Sequence, residues 1–242
     1  MGRSLRQLRP TDPFVQWVLG DLEPEVAIAD GENVAFLGAA ENPGEVWVTA
    51  LGDDPSACAA LVERMAETTP VDGVTVPADA FGLLPSYLRS PDPGHWSFWL
   101  NDSGEVPTDE GDAVDLPDDD PRIPRLLAHS RSAYIFPGDL RVVRWVGAVE
   151  GDRLLSVAAQ RNERTGAAHL CSVCTDPDRR GEGLARHVCA RIMRLALAEG
   201  APALVLEMYA YNESGRRTYE ALGFREVGRY RSGLLHPPAD AT

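Results

Sequence analysis

One stretch constrains this chain more than any other: Val173 to Ala185 reads V-C-T-D-P-D-R-R-G-E-G-L-A. Before it, Ala167 to Thr175 is a short apolar run with β-branched residues, which predicts a strand. After it, Leu184, Val188, Ile192, Met193, Leu195 and Leu197 recur at helical spacing and Gly200 closes the pattern, which predicts a helix. Asp176-Pro177 ends the strand. A helix start offers unpaired N–H groups at the positive end of its dipole, so it attracts phosphate. Glycine at 181 and 183 removes the side chains that would hold a phosphate away. Arg179 and Arg180 place fixed positive charge beside that turn.

Spacing separates the known phosphate turns. A Walker loop needs Gly-x4-Gly-Lys-Ser/Thr, and the chain has no lysine. A dinucleotide fingerprint needs a third glycine where Arg186 stands, so Gly181-x-Gly183 matches it only in part. Arg180-x-x-Gly183-x-Ala185 resembles the pyrophosphate loop of the GCN5-related N-acetyltransferase (GNAT) superfamily. Downstream, Ala203 to Tyr211 predicts a further strand, followed by Asn212, Ser214 and Tyr219-Glu-Ala-Leu-Gly-Phe224. Asn, then Tyr seven residues on, then Leu-Gly-Phe is similar to the second half of that superfamily's cofactor site. The resemblance runs from about Leu140 to Leu235. It departs at Gly215, where the family more often has alanine, a change expected to loosen the start of a short helix and to block nothing.

The resemblance implies an N-acetyltransferase that moves an acetyl group from acetyl-CoA to a primary amine by direct attack in a ternary complex. It implies cofactor contacts from Val173, Cys174 and Thr175 on the strand, and from Arg179, Arg180, Gly181, Glu182, Gly183, Leu184 and Ala185 around the turn. Asn212, Ser214, Arg217 and Tyr219 complete that set. Tyr219 would stand near the sulfur as general acid, since a phenol suits protonation of a departing thiolate. The base stays open between His169, Glu150 and Glu207. Glu207 is expected to be buried if its strand is central, which would raise its pKa; His169 has the intrinsic pKa of a base or else faces solvent. Arg216 and Arg217 reach an outer phosphate or are solvated helix charges. The alternatives are a non-catalytic acyl-CoA sensor and a nucleotide-binding oxidoreductase.

Composition is that of an ordinary globular protein, 44% hydrophobic and 25% charged. No apolar run is long enough for a membrane span, and the amino terminus lacks the apolar region of a signal peptide. The four cysteines, at 58, 171, 174 and 189, do not suggest a disulfide framework, so a cytoplasmic setting with reduced thiols is expected. Cys171-x-x-Cys174 lies in a predicted strand, where that spacing puts the side chains on opposite faces; small buried thiols are expected there and no metal. Charge is unevenly shared. Residues 1–120 hold 5 Arg against 24 Asp and Glu, and residues 121–242 hold 18 against 13, so the net −14 divides into −19 and +5. A cofactor with several phosphates prefers the second half, and the average field repels nucleic acid.

In chain order, a short helix near Phe14 to Leu19 precedes two strands joined by the hairpin signal Asp30-Gly31-Glu32-Asn33. A strand over 45–51 follows, then a helix from Pro55 capped by Asp53 or Asp54, a strand over 71–76, a helix over 80–88 and a strand over 96–100. The second half repeats that order: a helix over 122–131, strands joined at Gly151-Asp152, and the strand, turn and helix described above. The expected class is therefore α+β (α/β by looser naming), a mixed and mostly antiparallel sheet flanked by helices, the GNAT fold as a tandem pair. Residues 1–101 form a degenerate first copy, whose counterpart turn, Gly52-Asp53-Asp54-Pro55, repels a pyrophosphate. Residues 102–120 form an acidic linker, either a solvated tether or a lid that draws in a cationic amine. Residues 121–236 form the catalytic domain, and 237–242 a tail. The partner is a small-molecule amine, with a weak lean to a cationic one, or a protein or peptide amine, and the state is monomer or homodimer.

Overall fold

A computed structural model describes residues 4–39 and 44–235; the expected tail at 237–242 lies outside them. Helix α1 (Leu5–Leu8) leads to strands β1 (Ala27–Asp30), β2 (Asn33–Ala39) and β3 (Val46–Leu51), helix α2 (Pro55–Ala66), and strands β4 (Gly73–Pro77) and β5 (Gly94–Asn101). Then come β6 (Ala113–Leu116), α3 (Arg122–Leu127), β7 (Val142–Glu150), β8 (Arg153–Asn162) and β9 (Ala168–Thr175). Helix α4 (Leu184–Ala198), β10 (Leu204–Tyr209), α5 (Glu213–Ala221) and β11 (Arg225–Leu234) complete the order. Two compact units result. One holds the residues up to Phe98, Tyr209–Tyr211 and those from Val227; the other is Trp99–Met208 with Asn212–Glu226.

In the first unit β1 pairs with β2 and β2 with β3 antiparallel, β3 pairs with β4 parallel, and β11 pairs antiparallel with β4. Helix α2 makes the crossover between the parallel strands and buries Cys58, Leu61, Val62 and Met65 against the sheet. The parallel link requires such a crossover, whereas a hairpin suffices for the antiparallel ones. The second unit has the same sense throughout. Strands β6 to β9 pair antiparallel in sequence, and β10 joins β9 parallel after the α4 crossover. Val188, Ile192 and Met193 of α4 pack with Leu170 and Leu206 on one face of this sheet. Ile123 and Leu127 of α3 pack with Trp145 and Val157 on the other. This is the expected α+β fold.

Three local expectations change. The helix over 80–88 is two 3₁₀ turns, Phe81–Leu83 and Ser86–Leu88, because Pro85 between them supplies no N–H to a continuous ladder. The helix near Phe14 to Leu19 is a five-residue π turn, Val15–Leu19. Helix α3 stops at Leu127, with Ser130 Oγ accepting from Ala133 N at 3.1 Å in the turn that follows.

The acidic segment over 102–120 is neither a tether nor a separate domain; it belongs to the second unit. Ala113–Leu116 forms β6 against β7. Asp109 pairs with Arg186 at 3.2 Å, Asp115 with Arg191 at 2.9 Å, and Glu110 with both Arg191 and Arg194. Asp118 accepts from Trp145 Nε1 at 3.0 Å. The segment is therefore a strap whose carboxylates neutralise one side of α4. A charge run reads as solvated only when its partners, some 75 to 85 residues away here, are unknown. The Arg194 hydrogen bond holds the Glu110 carboxyl below its ordinary value of 4.5, against the opposing effect of partial burial and with help from the Arg194 and Arg191 charges. A carboxyl depressed on folding contributes stability above its unfolded pKa and loses that contribution as pH falls through the folded value. Glu110→Gln is thus expected to cost about 1 kcal/mol or less near pH 7. Urea denaturation should show the gap from wild type closing as pH drops below 4.5.

Candidate active site

The site is built where β9 and β10 part. Their parallel pairing covers only Leu204 with Ala168 and Val205 with His169, although β9 runs on to Thr175 and β10 to Tyr209. Beyond His169 the β10-side edge of β9 has backbone groups without that partner, and such groups are available to a ligand. The other edge stays paired with β8.

A bulge shapes this length of β9. Ala159 faces Cys171 and Val157 faces Cys174, so Ser172 and Val173 together oppose Ala158. Ser172 has φ 48, the one positive φ outside glycine among the described residues. Its Oγ donates to the buried Ile135 carbonyl at 2.8 Å, which holds the unusual backbone in place. The extra residue also corrects an expectation: Cys171 and Cys174 do not face opposite sides but join one cluster with Ile123 and Trp145. All four cysteines are free and buried. Burial pushes the Cys171 thiol up to about 12 and raises that of Cys174, so Cys174 is a packed thiol and no nucleophile. No group of His, Cys, Asp and Glu that could hold a metal occurs among the described residues.

The turn after β9 sorts its charges. Asp176 accepts from Asp178 N at 3.0 Å and from Arg153 at 3.0 Å. Arg179 pairs with Glu182 at 2.8 Å and with Glu150 at 3.0 Å, both exposed ion pairs. Arg180 is exposed, and among the described residues no carboxylate pairs with it. Gly181 and Gly183 take φ 87 and 82, a left-handed backbone that glycine adopts without strain. Gly183 is the N-cap of α4 and no side chain caps that helix, so the amides of Leu184 and Ala185 are left for an outside acceptor. Helix α2 in the first unit contrasts with it. Asp54 accepts from Ser56 N and Ala57 N at its start, and Asp53 pairs with Arg9.

On α5, Asn212 is the N-cap, its Oδ1 accepting from Gly215 N at 2.9 Å. Gly215 is required more strictly than expected, since a Cβ there would stand 2.5 Å from Asn212 Nδ2 and 2.8 Å from Met208 Sδ. Ser214 and Arg217 are exposed and Arg217 has no carboxylate partner among the described residues. Arg216 is committed to Glu226 at 3.2 Å and lies over the Trp99 ring. Tyr219 is buried beside Phe224 in the α4 cluster, and burial, with a smaller effect of the Cys189 and Cys171 thiols, pushes its phenol up, so it stays protonated.

The candidate bases divide. Leu204, Leu206 and Met208 pack toward α4, so Glu207 projects from the other face of β10, where it is exposed. Its expected burial is therefore corrected: Val205, on the same face, is buried, but the cover of that face ends before Glu207. His169 is not turned to solvent but buried, 1% exposed. Its Nδ1 lies 2.5 Å from Glu163 Oε1, and Glu163 also pairs with Arg161 at 3.1 Å. Glu163 escapes a reading by motif. The register that sets Asn162 opposite Ala168 is the signal that could have found it, since it places the next residue of the turn beside His169.

The Acetyltransferase (GNAT) family model matches residues 96–224. Among curated proteins, N-acetylaspartate synthetase of Danio rerio is 33% identical over 84 residues, which is 35% of this chain and 30% of that protein. The Rattus norvegicus protein of the same name is 31% identical over 84 residues, 35% and 28% of the two chains. The match thus spans under a third of these relatives. A putative GNAT acetyltransferase from Novosphingobium aromaticivorans aligns at TM-score 0.55 and 24% identity, covering 77% of this chain and 82% of that one. A GCN5-related N-acetyltransferase from Kribbella flavida gives 0.55 at 14% identity over 97% and 96%. These last two show likeness of fold.

The bulge generates a test. Ser172→Ala leaves the buried Ile135 carbonyl unpaired and keeps the left-handed φ, at a cost of about 1–3 kcal/mol. Ser172→Gly also loses the bond but relieves the φ, so chemical denaturation should rank wild type, Gly and Ala in falling stability.

Proposed function

The chain belongs to the acetyltransferase (GNAT) family, and on that premise we propose that it transfers an acetyl group from acetyl-CoA to a primary amine by direct attack in a ternary complex. The observation that carries this reading is the coincidence of the parted β9 and β10 with an uncapped helix start. Acetyl-CoA fits those residues. Its pyrophosphate would meet the amides of Leu184 and Ala185 and the uncommitted Arg180, and the glycines at 181 and 183 leave it room. Arg217 would serve an outer phosphate. Val173 and Thr175 would offer backbone groups along the opening, and Asn212 Nδ2 remains a donor while its Oδ1 caps α5. Arg179 and Glu182 contribute instead by bracing the turn against each other.

When bound, acetyl-CoA supplies an activated acyl carbon and a thiol leaving group. The chain must accept a proton from the attacking ammonium, hold the carbonyl and return a proton to the departing sulfur. Tyr219 would take the last task by the family resemblance; burial keeps its phenol protonated but also raises its pKa, which makes it a weaker donor. His169 and Glu207 would be the candidates to take the amine's proton. The curated relatives' name favours an amino acid as acceptor, whereas the net −14 of the whole chain favours a cationic amine. Four unbridged thiols support a reducing compartment such as the cytoplasm. The second reading, a protein that binds acyl-CoA without turning it over, is favoured by the deep burial of Tyr219.

Calorimetric titration with acetyl-CoA tests the site. Wild type should bind at micromolar level and Gly183→Asp should not, with thermal melting showing both folded; equal binding by the two would remove the loop from the site. Tyr219→Phe should leave acetyl-CoA affinity unchanged and lower kcat about 10²–10⁴-fold. An amine screen read by free-thiol release, run with aspartate and with polyamines, decides the acceptor. No amine-dependent thiol release would leave the sensor reading.

A further inference from the structure

Of the buried titratable groups in the second unit, one pair has a geometry that packing alone does not call for. His169 is the last residue of β9 paired with β10 before the strands part, so it stands at the apex of the opening. Ala168 and Leu170 pack toward α4, which turns His169 to the opposite face, the face from which Glu207 projects. Nδ1 of His169 is 2.5 Å from Glu163 Oε1, with side chains 1% and 12% exposed. Arg161, opposite His169 on β8, pairs with Glu163 at 3.1 Å and brings its Nη2 to 3.2 Å from Nδ1.

We infer that Glu163 is a positioning residue that holds His169 as the Nδ1–H tautomer, so that Nε2 is the base that deprotonates the acceptor amine. This rests on the acetyl-transfer reading above. A carboxylate accepts only, so the short contact requires a proton on Nδ1, and a neutral ring then carries its lone pair on Nε2. Arg161 can donate only, so it cannot bond a protonated Nδ1; its partner is the carboxylate. Burial raises the Glu163 carboxyl, but the His169 hydrogen bond and the His169 and Arg161 charges outweigh it and leave the group below its ordinary value, hence ionised. In the step, an ammonium proton passes to Nε2, directly or through one water, and gives an imidazolium that faces Glu163. The freed amine pair forms the C–N bond, the C–S bond breaks and the sulfur takes the Tyr219 proton; the nitrogen's second proton returns to the Tyr219 phenolate through water, leaving the amide, the free thiol and one proton on Nε2.

The charges around the ring come from several elements. Glu163 and Arg161 flank it, Glu207 of β10 acts on Arg161, and Asp139 and Arg141 act on Cys171 one step along the same face. Tyr134 lies over the Arg161 guanidinium. Removing the Glu163 charge leaves Arg161 as the charge nearest His169, which disfavours the imidazolium.

The experiment is a pH profile of kcat/KM for wild type, Glu163→Gln and Glu163→Asp, with acetyl-CoA affinity by calorimetry. Glu163→Gln should lower the plateau about 10-fold or more and move the acidic limb down by about one pH unit, with affinity unchanged and partial recovery in Glu163→Asp. ¹⁵N imidazole spectra of wild type should show Nδ1 protonated and Nε2 bare above the ring's titration, a readout that stands if Glu163→Gln does not fold. An Nε2–H ring, or a Glu163→Gln profile that superimposes on wild type while only Tm falls, overturns the inference. If wild type shows the Nδ1–H ring but binds no acetyl-CoA, the acetyl-transfer reading fails and the base's task with it, while the dyad stands.

Discussion

Two residue pairs join β9 to β10, and the function of the second unit depends on the ladder ending there. A parallel ladder that continued would satisfy the backbone of both strands and leave nothing for a ligand. Because it stops at His169, the remaining length of β9 keeps one edge paired with β8 and presents the other. The bulge at Ser172 acts on that same length. It shifts the alternation by one residue, sends Cys174 into the α3 cluster with Cys171, and leaves Val173 against the α4 cluster and Thr175 half-buried beside Ser156. The Ser172 to Ile135 hydrogen bond ties this irregular backbone to the segment ahead of β7.

Charge in this unit is allotted with similar economy of position. Helix α4 carries arginines along its length, and the acidic strap over 109–115 pairs with Arg186, Arg191 and Arg194. Carboxylates also take up Arg179 and Arg216. Among the described residues no carboxylate pairs with Arg180 at the turn or with Arg217 on α5. A polyphosphate is attracted by uncompensated charge, so the pairing elsewhere sharpens where it would settle.

Both units run two antiparallel links and then a parallel strand–helix–strand, yet their helix starts differ in chemistry. In the first unit Asp54 caps α2 with its own carboxylate and Asp53 is engaged by Arg9, which Asp12 also holds in a buried pair at 2.9 Å. The amides that a phosphate would use are already bonded. In the second unit glycine occupies the cap position of α4 and offers no side chain. One topology therefore serves two ends, and the difference lies in a few residues after the third strand.

The strand, the glycine turn and the helix from Val173 onward were legible in the sequence, as were the hairpins and the α+β class. These follow from local properties: alternation, helical period, the φ that glycine permits and the proton a phenol holds. Asn212 is expected from the sequence only as a ligand contact; its cap of α5 comes from the structure, and a side-chain amide suits either. Residues distant in the chain decided the rest. The partners of Asp109, Glu110 and Asp115 lie far along the sequence, so their charges read as solvated. The bulge reversed the faces of the Cys171–Cys174 pair, since a single extra residue changes a period-2 pattern without changing composition. Exposure of Glu207 and burial of His169 against Glu163 depended on how far the cover of their shared face extends. The sequence by itself determined where a glycine turn leaves a helix start uncapped, because that turn is made from consecutive backbone. Only the tertiary structure decided which acids and bases surround it, because those arrive on separate strands whose register no local pattern encodes.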